Sequence, residues 1–288
     1  MSYVDDAFIK CKKTLEITRA EQDFAASKHK DIRELVEASW QLEDHFLTGS
    51  YRRDTKTKKL KDVDIFVVID PKGPQANLRD QHPSVVLEEL RKLLAAKYSG
   101  VIPDGFGCTV KFGMDDEVAS FDVVPAFKRK GGGWEIPNAE RSDWISTNPK
   151  LHHEQSTKKN GQCDEKFVPL VKMIKGINRN FNEPIKPPFL LEVMAQTLVS
   201  APFGRYQDEI TWFLASAAER IVEDWPDPAA IGPTVNGRMT VADRQAAAKT
   251  LTDWQRIAEK AVRLEDAGSE RDAVEEWKKL FDWRMPRP

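Results

Sequence analysis

The sequence predicts an α+β fold, with a mixed β-sheet in the first half of the chain and helices in the second half. Short apolar runs of β-branched and aromatic residues, bounded by turn residues, occur between residues 62 and 124. Longer segments with apolar side chains at helical spacing fill most of the chain from residue 164 onwards. The order strand, helix, strand, strand in the first half is typical of a mixed sheet.

Length and composition indicate a well-packed globular protein. The chain has 288 residues, of which 40% are hydrophobic and eight are tryptophan, which is enough for one large domain or two tightly joined ones. No apolar run approaches the ~20 residues that cross a bilayer, and residues 1–10 lack the apolar core of a signal peptide. Three widely spaced cysteines suggest neither a disulfide framework nor a zinc site. We therefore expect a cytoplasmic protein without a membrane partner.

The charge balance bears on the class of partner. The formal net charge is −2, whereas a protein that grips duplex DNA through many phosphates normally has a marked basic excess. Small anionic substrates held with a metal ion are a better match. We therefore expect no strong binding to duplex nucleic acid.

The first half is predicted to begin with two helices and to continue into the sheet. The second helix is expected to run directly into the loop that contains Gly49 and Ser50. The predicted elements of this half are, in order, helices over 3–20 and 21–46, a strand over 62–70, a helix over 83–98, and strands over 105–113 and 118–124. The segment 134–156 shows no clear periodicity, and long irregular segments of this kind are often functional.

The second half is predicted to be helical throughout. Its expected helices cover residues 164–180, 189–200, 206–223, 240–267 and 270–283. On this basis we predict a sheet-containing domain over residues 1–150 and a helical domain over residues 151–288.

Three acidic residues are placed in or beside the predicted strands. Asp62 and Asp64 precede the run from Ile65 to Ile69, and they share one face because residues two apart on a strand point to the same side. Asp122 interrupts another apolar run, where a lone carboxylate is unfavourable unless it is paired or bound to metal. If the two strands are neighbours, the three carboxylates converge. Three such acids can hold two Mg²⁺ ions, with Mn²⁺ as an alternative ion, as a clamp for in-line attack on a phosphate.

The Gly-Ser pair upstream of the acids suits a polyphosphate. Gly49 has no side chain and lets the backbone approach a phosphate closely, and Ser50 adds a hydroxyl and a backbone N–H. Eleven residues separate Ser50 from Asp62. Gly-Ser and Asp-x-Asp are common singly, so their order, their spacing and the strand context together form the motif.

The pattern resembles the nucleotidyltransferase superfamily whose core is shared by DNA polymerase β. In detail it resembles the bacterial cGAS/DncV-like nucleotidyltransferases (CD-NTases of the SMODS type). The closer resemblance is carried by GSYRRDT, DVDIFVVID, SFDVVPAF, GGWEIPNAERSDWISTNPKLHHEQS, LVKMIKGINR and EEWKKLFDWRMP. It implies a polymerase β-like nucleotidyltransferase core over residues 1–150 and a helical domain over residues 151–288 that completes the nucleotide pocket.

The resemblance also implies roles for particular residues. It makes Asp62, Asp64 and Asp122 the catalytic, metal-binding acids. Gly49 and Ser50 would bind the triphosphate and Arg53 would support it. Lys175 matches a lysine that family members place against the donor phosphates, and Lys172 shares its helix face and is a further candidate. Trp144 borders the expected nucleotide pocket, although a tryptophan there is also a common loop anchor.

The implied function is synthesis of a cyclic di- or trinucleotide containing adenine, from ATP and other nucleoside triphosphates, in anti-phage (CBASS) signalling. A downstream effector protein would read the product, and the enzyme is expected to be a monomer. Two alternatives stay open. One is the same chemistry on another acceptor, as in a linear 2′-5′ oligoadenylate synthase or a tRNA- or small-molecule-directed nucleotidyltransferase. The other is a catalytically silent nucleotide-binding module.

Overall fold

The structure, a computed structural model, describes residues 2–112 and 118–286. Within these ranges the helices are α1 (Tyr3–Leu15), α2 (Arg19–Glu37), α3 (Gly49–Arg52), α4 (Pro83–Ala95), α5 (Pro149–Gln162), α6 (Phe167–Asn180), α7 (Pro188–Leu198), α8 (Tyr206–Arg220), α9 (Val241–Asp266) and α10 (Glu270–Phe281). The strands are β1 (Leu42–Leu47), β2 (Asp62–Ile69), β3 (Ile102–Asp104), β4 (Gly107–Lys111), β5 (Ser120–Lys128), β6 (Trp134–Asn138) and β7 (Asp143–Thr147). The predicted α+β fold with a mixed sheet is confirmed.

The sheet is mixed because one strand pair in it is parallel. Its order is β1-β2-β5-β4-β3, and β6 extends from the far end of β5 and pairs with β7. The β2–β5 pair is parallel, whereas β1–β2, β3–β4, β4–β5, β5–β6 and β6–β7 are antiparallel. The two strands predicted to carry the acids are therefore neighbours at the centre of the sheet.

The two faces of β2 have different surroundings, since alternate side chains point to opposite sides. Ile65 and Val67 belong to a buried core that includes residues of α2 and α4, whereas Phe66 and Val68 pack in a second cluster with Trp134. Asp62 and Asp64 have the same parity as Phe66. They therefore lie on the face of the sheet opposite the core that contains α2 and α4.

The prediction of a helix over residues 21–46 is wrong beyond Glu37. Residues 42–47 form β1, which pairs antiparallel with β2. The apolar spacing of this segment is compatible with either element, but β2 needs a hydrogen-bonding partner along its outer edge. Phe46 packs against Phe66 and Trp134, with ring centroids 5.4 and 5.1 Å apart. A strand, and not a long helix, therefore leads into the Gly-Ser loop.

The segment 134–156, expected to be irregular, is ordered into two strands and a helix. β6 adds to the end of β5 through Phe127 and Lys128, β7 pairs with β6, and α5 follows at once. The long-range pairing supplies the order that local periodicity did not reveal. The other predicted elements are present with shifted ends, and Gly113, the predicted end of one strand, lies outside the described residues.

The chain divides into two compact units, which separate between Glu16 and Ile17 and between His153 and Glu154. The sheet unit also includes Ala229–Pro233. The second division is near the predicted boundary at residue 150, but the first differs from the prediction, because α1 groups with the helical unit. The reason is packing: Phe8 on α1 lies edge-on to Trp277 and Phe281 of α10, at 5.1 and 6.0 Å between ring centroids.

No helix in the described part of the chain combines the length and the apolar character that crossing a bilayer requires.

Candidate active site

The three acids predicted from the sequence lie on the two central strands of the sheet unit. In the parallel β2–β5 pair, Asp64 is the direct partner of Asp122, and Asp62 is the partner of Ser120. Direct partners in adjacent strands point to the same face of a sheet. Asp62, Asp64 and Asp122 therefore share the face opposite the core that contains α2 and α4. The strand arrangement predicted to bring the three carboxylates together is confirmed.

Asp122 is half-buried, and its surroundings disfavour its negative charge. Burial raises the pKa of the Asp122 carboxyl, and the negative charges of Asp62 and Asp104 raise it further. The hydroxyl of Thr109 opposes this shift, since it donates a hydrogen bond to Oδ1 of Asp122 over 2.6 Å. An electrostatic site of this kind favours a bound cation, because a cation would offset the mutual repulsion of the acids.

The donor set suits a hard divalent cation. Carboxylate oxygens are the ligands that Mg²⁺ and Mn²⁺ prefer, and the site holds Asp62, Asp64 and Asp122 on one face of adjacent strands. Across residues 2–112 and 118–286, no three His, Cys, Asp or Glu side chains already have the disposition of metal ligands. The backbone therefore brings the acids together, and the carboxylates themselves would have to turn towards an ion.

Gly49 packs directly against Asp64. A Cβ atom at Gly49 would stand 1.7 Å from Oδ2 of Asp64, and the residue has a φ of +61°, which side chains disfavour. The backbone N–H of Thr48 donates to the carbonyl of Asp64 over 2.9 Å. A glycine is thus required at this position for two independent reasons, and the Gly-Ser loop is joined to the strand that carries the acids.

Ser50 and Arg53 belong to the short helix α3 and its end. The carbonyl of Ser50 accepts the backbone N–H of Thr55 over 3.0 Å, and that of Gly49 accepts the N–H of Arg53 over 3.3 Å. Arg53 and Thr55 are buried. These contacts hold the loop in a compact turn, which is consistent with the predicted supporting position of Arg53. Its binding of a triphosphate stays a prediction.

The two predicted lysines lie on α6 in the helical unit, and each forms an ion pair. Lys172 Nζ lies 2.7 Å from Oε2 of Glu16, and Lys175 Nζ lies 2.8 Å from Oε1 of Glu192. The side chain of Lys172 is 2% exposed and that of Lys175 is 12% exposed. Lys175 is therefore the more accessible of the two, and the roles predicted for both lysines stay predictions.

Trp144 is held in place by two contacts. Trp144 packs edge-on against Phe127 at 5.5 Å between centroids, and its indole N–H donates to the carbonyl of Gln81. These contacts are those of a loop anchor.

Thr109 was not singled out from the sequence. The one feature of the sequence that points to Thr109 is its hydroxyl, placed in a predicted strand between Cys108 and Val110, which are both buried in the structure.

Comparison with known proteins identifies the family. Residues 1–160 match the model of the family described as "Second Messenger Oligonucleotide or Dinucleotide Synthetase domain". The chain is 25% identical over 264 residues to a cyclic AMP-AMP-AMP synthase from an Acinetobacter species, and the match covers 84% of this chain and 72% of the relative. It is 24% identical over 278 residues to a probable cyclic nucleotide synthase from Bacillus cereus, with 83% and 81% coverage.

Solved structures of low sequence identity share the fold. The CD-NTase CdnG of Bradyrhizobium diazoefficiens, solved in complex with GTP, aligns with a TM-score of 0.74 at 15% identity, over 96% of this chain and 98% of that one. CdnC of Escherichia coli MS115-1, solved with ATP, aligns with a TM-score of 0.74 at 16% identity, over 98% of each chain. The predicted polymerase β-like core with a helical half is confirmed at the level of fold. Because the family model matches more than half of the sequence, the chain belongs to the Second Messenger Oligonucleotide or Dinucleotide Synthetase family, and it is a nucleotidyltransferase.

Proposed function

We propose that this nucleotidyltransferase joins nucleoside triphosphates into a cyclic di- or trinucleotide that contains adenine. The observation that carries the proposal is the in-register pairing of Asp64 with Asp122, with Asp62 on the same face and Gly49 packed against Asp64. The adenine preference is supported by the Acinetobacter relative, which is a cyclic AMP-AMP-AMP synthase.

The acids have a defined part in this chemistry. Asp62 and Asp64 would hold a divalent cation that also meets the donor triphosphate, and Asp122 would complete a second ion site with them. When bound, Mg²⁺ at these acids would supply charge neutralisation and would lower the pKa of the attacking ribose hydroxyl. The strand pair fixes the backbone positions of the three acids, so that only their side chains need to turn when an ion binds.

The triphosphate would be bound by backbone and by cationic side chains. Gly49 allows the main chain close to the phosphates, Ser50 offers its hydroxyl, and Arg53 supports the loop. Lys175 would compensate the charge of the donor phosphates, and Lys172 is a further candidate for the same role. Pyrophosphate is the leaving group, and a second transfer within the linear product closes the ring.

We infer a cytoplasmic, monomeric enzyme that draws on the nucleotide pool, and whose product is read by a downstream effector protein in anti-phage signalling. Burial of Cys11, Cys108 and Cys163 as free thiols is compatible with a reducing compartment.

One product analysis separates this proposal from the alternatives. The purified protein is incubated with Mg²⁺ and all four nucleoside triphosphates, the mixture is treated with phosphatase, and the products are identified by mass spectrometry. We expect a phosphatase-resistant cyclic product that contains adenine, and none from the Asp64→Asn variant. The exposed Asp44, which pairs with Lys150 on the surface, provides a matched control, since Asp44→Asn removes a carboxylate from the neighbouring strand β1 and leaves the acids intact.

The other outcomes contradict the proposal in distinct ways. A phosphatase-sensitive oligonucleotide indicates a linear 2′-5′ synthase. Nucleotide transfer that occurs only after addition of tRNA or a small-molecule acceptor indicates a different substrate class. Absence of pyrophosphate with every nucleotide and metal combination indicates a silent binding module.

A further inference from the structure

Thr109 lies beside Asp122 on β4, the strand that flanks β5 on the side away from β2. The antiparallel ladder pairs Thr109 directly with Asp122, and the hydroxyl of Thr109 donates to Oδ1 of Asp122 over 2.6 Å. Asp64, Asp122 and Thr109 thus form one row across three adjacent strands, on one face of the sheet. We propose that Thr109 is a positioning residue that orients the Asp122 carboxylate towards a divalent cation, an inference that rests on the proposed function.

The place of Thr109 in its strand is consistent with such a role. Its neighbours Cys108 and Val110 are fully buried in the core that contains α2 and α4, so the hydroxyl of Thr109 is on the same face as the acids. A threonine has a stiff χ1 torsion, which keeps a donated hydrogen bond in one direction. The hydrogen bond therefore adds a directional constraint to a strand pair that its backbone ladder already holds together.

A neutral donor is the chemically suitable neighbour for this carboxylate. A lysine or arginine in place of Thr109 would form an ion pair with Asp122 and compete with a metal ion for it. A hydroxyl instead engages one oxygen, Oδ1, and leaves the carboxylate its charge. Since the last torsion of an aspartate is broad, and Asp62 carries a like charge nearby, the bond selects one carboxylate orientation. The second oxygen, Oδ2, is the one that we assign to the ion.

Groups that orient metal ligands typically contribute 10- to 100-fold to metal affinity or activity. Thr109→Val removes the hydroxyl while keeping the size, the branching and the strand preference of the side chain. Thr109→Ser keeps the hydroxyl and removes the methyl group. The matched control is Thr252→Val on α9 of the helical unit, where the hydroxyl donates to the carbonyl of Ala248, one turn earlier in the same helix, over 2.9 Å.

The experiment measures ion binding as well as activity. Mn²⁺ is titrated into each protein in the presence of a non-hydrolysable ATP analogue, and free Mn²⁺ is followed by its electron paramagnetic resonance signal. The Mg²⁺ concentration for half-maximal nucleotidyl transfer is measured in parallel. We expect Thr109→Val to weaken Mn²⁺ binding by about tenfold or more and to raise the Mg²⁺ requirement by a similar factor. Thr109→Ser should stay within about threefold of the unsubstituted protein, and Thr252→Val should match it.

Two results would overturn the inference. One is a Thr109→Val protein with unchanged Mn²⁺ binding and an unchanged Mg²⁺ curve. The other is an equal loss in Thr109→Ser and Thr109→Val together with lowered melting temperatures, which would make the contact purely structural. The Mn²⁺ titration decides the question even if no nucleotide product forms. Failure of the proposed function, seen as an unsubstituted protein that releases no pyrophosphate, is therefore distinguishable from failure of this inference.

Discussion

Asp64 on β2 and Asp122 on β5 are direct partners across a parallel strand pair, separated by 58 positions in the sequence and by a single strand spacing in the sheet. Adjacent strands lie about 4.8 Å apart. The backbone ladder, and not a flexible loop, therefore holds the two carboxylates within reach of a shared ion. Burial and the negative charges of Asp62 and Asp104 raise the pKa of Asp122, so the ionised carboxylate carries a stability cost in the free protein that has measurable consequences.

Asp122→Asn is expected to abolish activity and to stabilise the metal-free fold. The raised pKa of Asp122 means that its ionised form is disfavoured by folding, so at neutral pH the carboxylate costs stability that an amide does not. We expect at least a ~1,000-fold loss of nucleotidyl transfer, as for removal of several kcal/mol of transition-state stabilisation. In EDTA at pH 7 the melting temperature should rise by about 1–3 °C, the size of a change below 1 kcal/mol.

The sign of the stability effect also depends on pH. A carboxyl whose folded pKa is raised becomes protonated in the folded state first as the pH falls. Its stability cost therefore decreases as the pH falls through the folded pKa and is gone below the pKa of the unfolded state. The stability advantage of Asp122→Asn should therefore shrink in acid. An amide variant that is less stable than the unsubstituted protein at pH 7 in EDTA would contradict the electrostatic account of the site.

Gly49→Ala should disrupt the site, because the new Cβ atom would clash with Asp64. The same substitution at Gly100 meets no such neighbour. The new Cβ would stand 1.7 Å from Oδ2 of Asp64 at a φ of +61°. Gly100 has a similar φ of +72° but nothing within 4 Å of its Cβ position. Both alanine variants incur left-handed backbone strain of about 1–2 kcal/mol, whereas only Gly49→Ala displaces Asp64. We expect at least a ~100-fold loss of pyrophosphate release in Gly49→Ala and full activity in Gly100→Ala. Equal activities would show that the close approach to Asp64 is unimportant.

Sequence patterns predicted the centre of the sheet because burial there is uniform. The run from Ile65 to Ile69 is apolar in every position, as expected for a strand covered on both faces. Asp62, Asp64 and Asp122 were recognisable because charged residues are costly beside such runs. Motif order and spacing then indicated the nucleotidyltransferase superfamily, and the further segments of closer resemblance indicated the family. The acids are on the predicted neighbouring strands.

Features that depend on long-range partners could not be read from local patterns. Residues 42–47 have apolar positions that fit a helix, and they become a strand because the edge of β2 is available for pairing. β6 forms on β5 for the same reason. Thr109 is 13 positions from Asp122, and Lys175 is 17 positions from Glu192. Neither contact leaves a periodic signal, because it is created by the packing of separate elements.

His29 on α2 should make the stability of the sheet unit sensitive to mild acid. Burial lowers the pKa of His29 to about 4, and the positive charges of His45 and Arg33 contribute to the shift. The ring centroids of His29 and His45 are 5.6 Å apart. Because the unfolded chain binds a proton near pH 6.5, the stability that neutral His29 preserves is complete above that pH. It is lost progressively as the pH falls towards 4.

The measurement compares the pH dependence of melting for the unsubstituted protein and His29→Asn between pH 7.5 and 5. After allowance for solvent screening of a half-buried ring, the free energy of unfolding should fall by about 1 kcal/mol more in the unsubstituted protein than in the variant. This corresponds to about 2–4 °C in melting temperature. Comparing slopes, and not absolute values, removes the packing change that the substitution itself causes. Parallel pH profiles would show that His29 titrates normally.

Lys175 and Glu192 allow stability and substrate binding to be separated. Glu192 is 3% exposed, and its carboxylate lies 2.8 Å from the ammonium of Lys175. Lys175→Met would leave this buried charge without the lysine cation, and we expect it to lower the free energy of unfolding by about 3–5 kcal/mol. A pair of methionines at both positions should recover most of that stability, since apolar replacements of buried ion pairs are often neutral. If Lys175 also binds the donor phosphates, the KM for ATP should rise about 10- to 100-fold in both variants, as expected for loss of a charged hydrogen bond. Melting temperatures and steady-state kinetics measured on the same preparations test this. A double variant with restored stability and an unchanged KM would assign Lys175 to the fold alone.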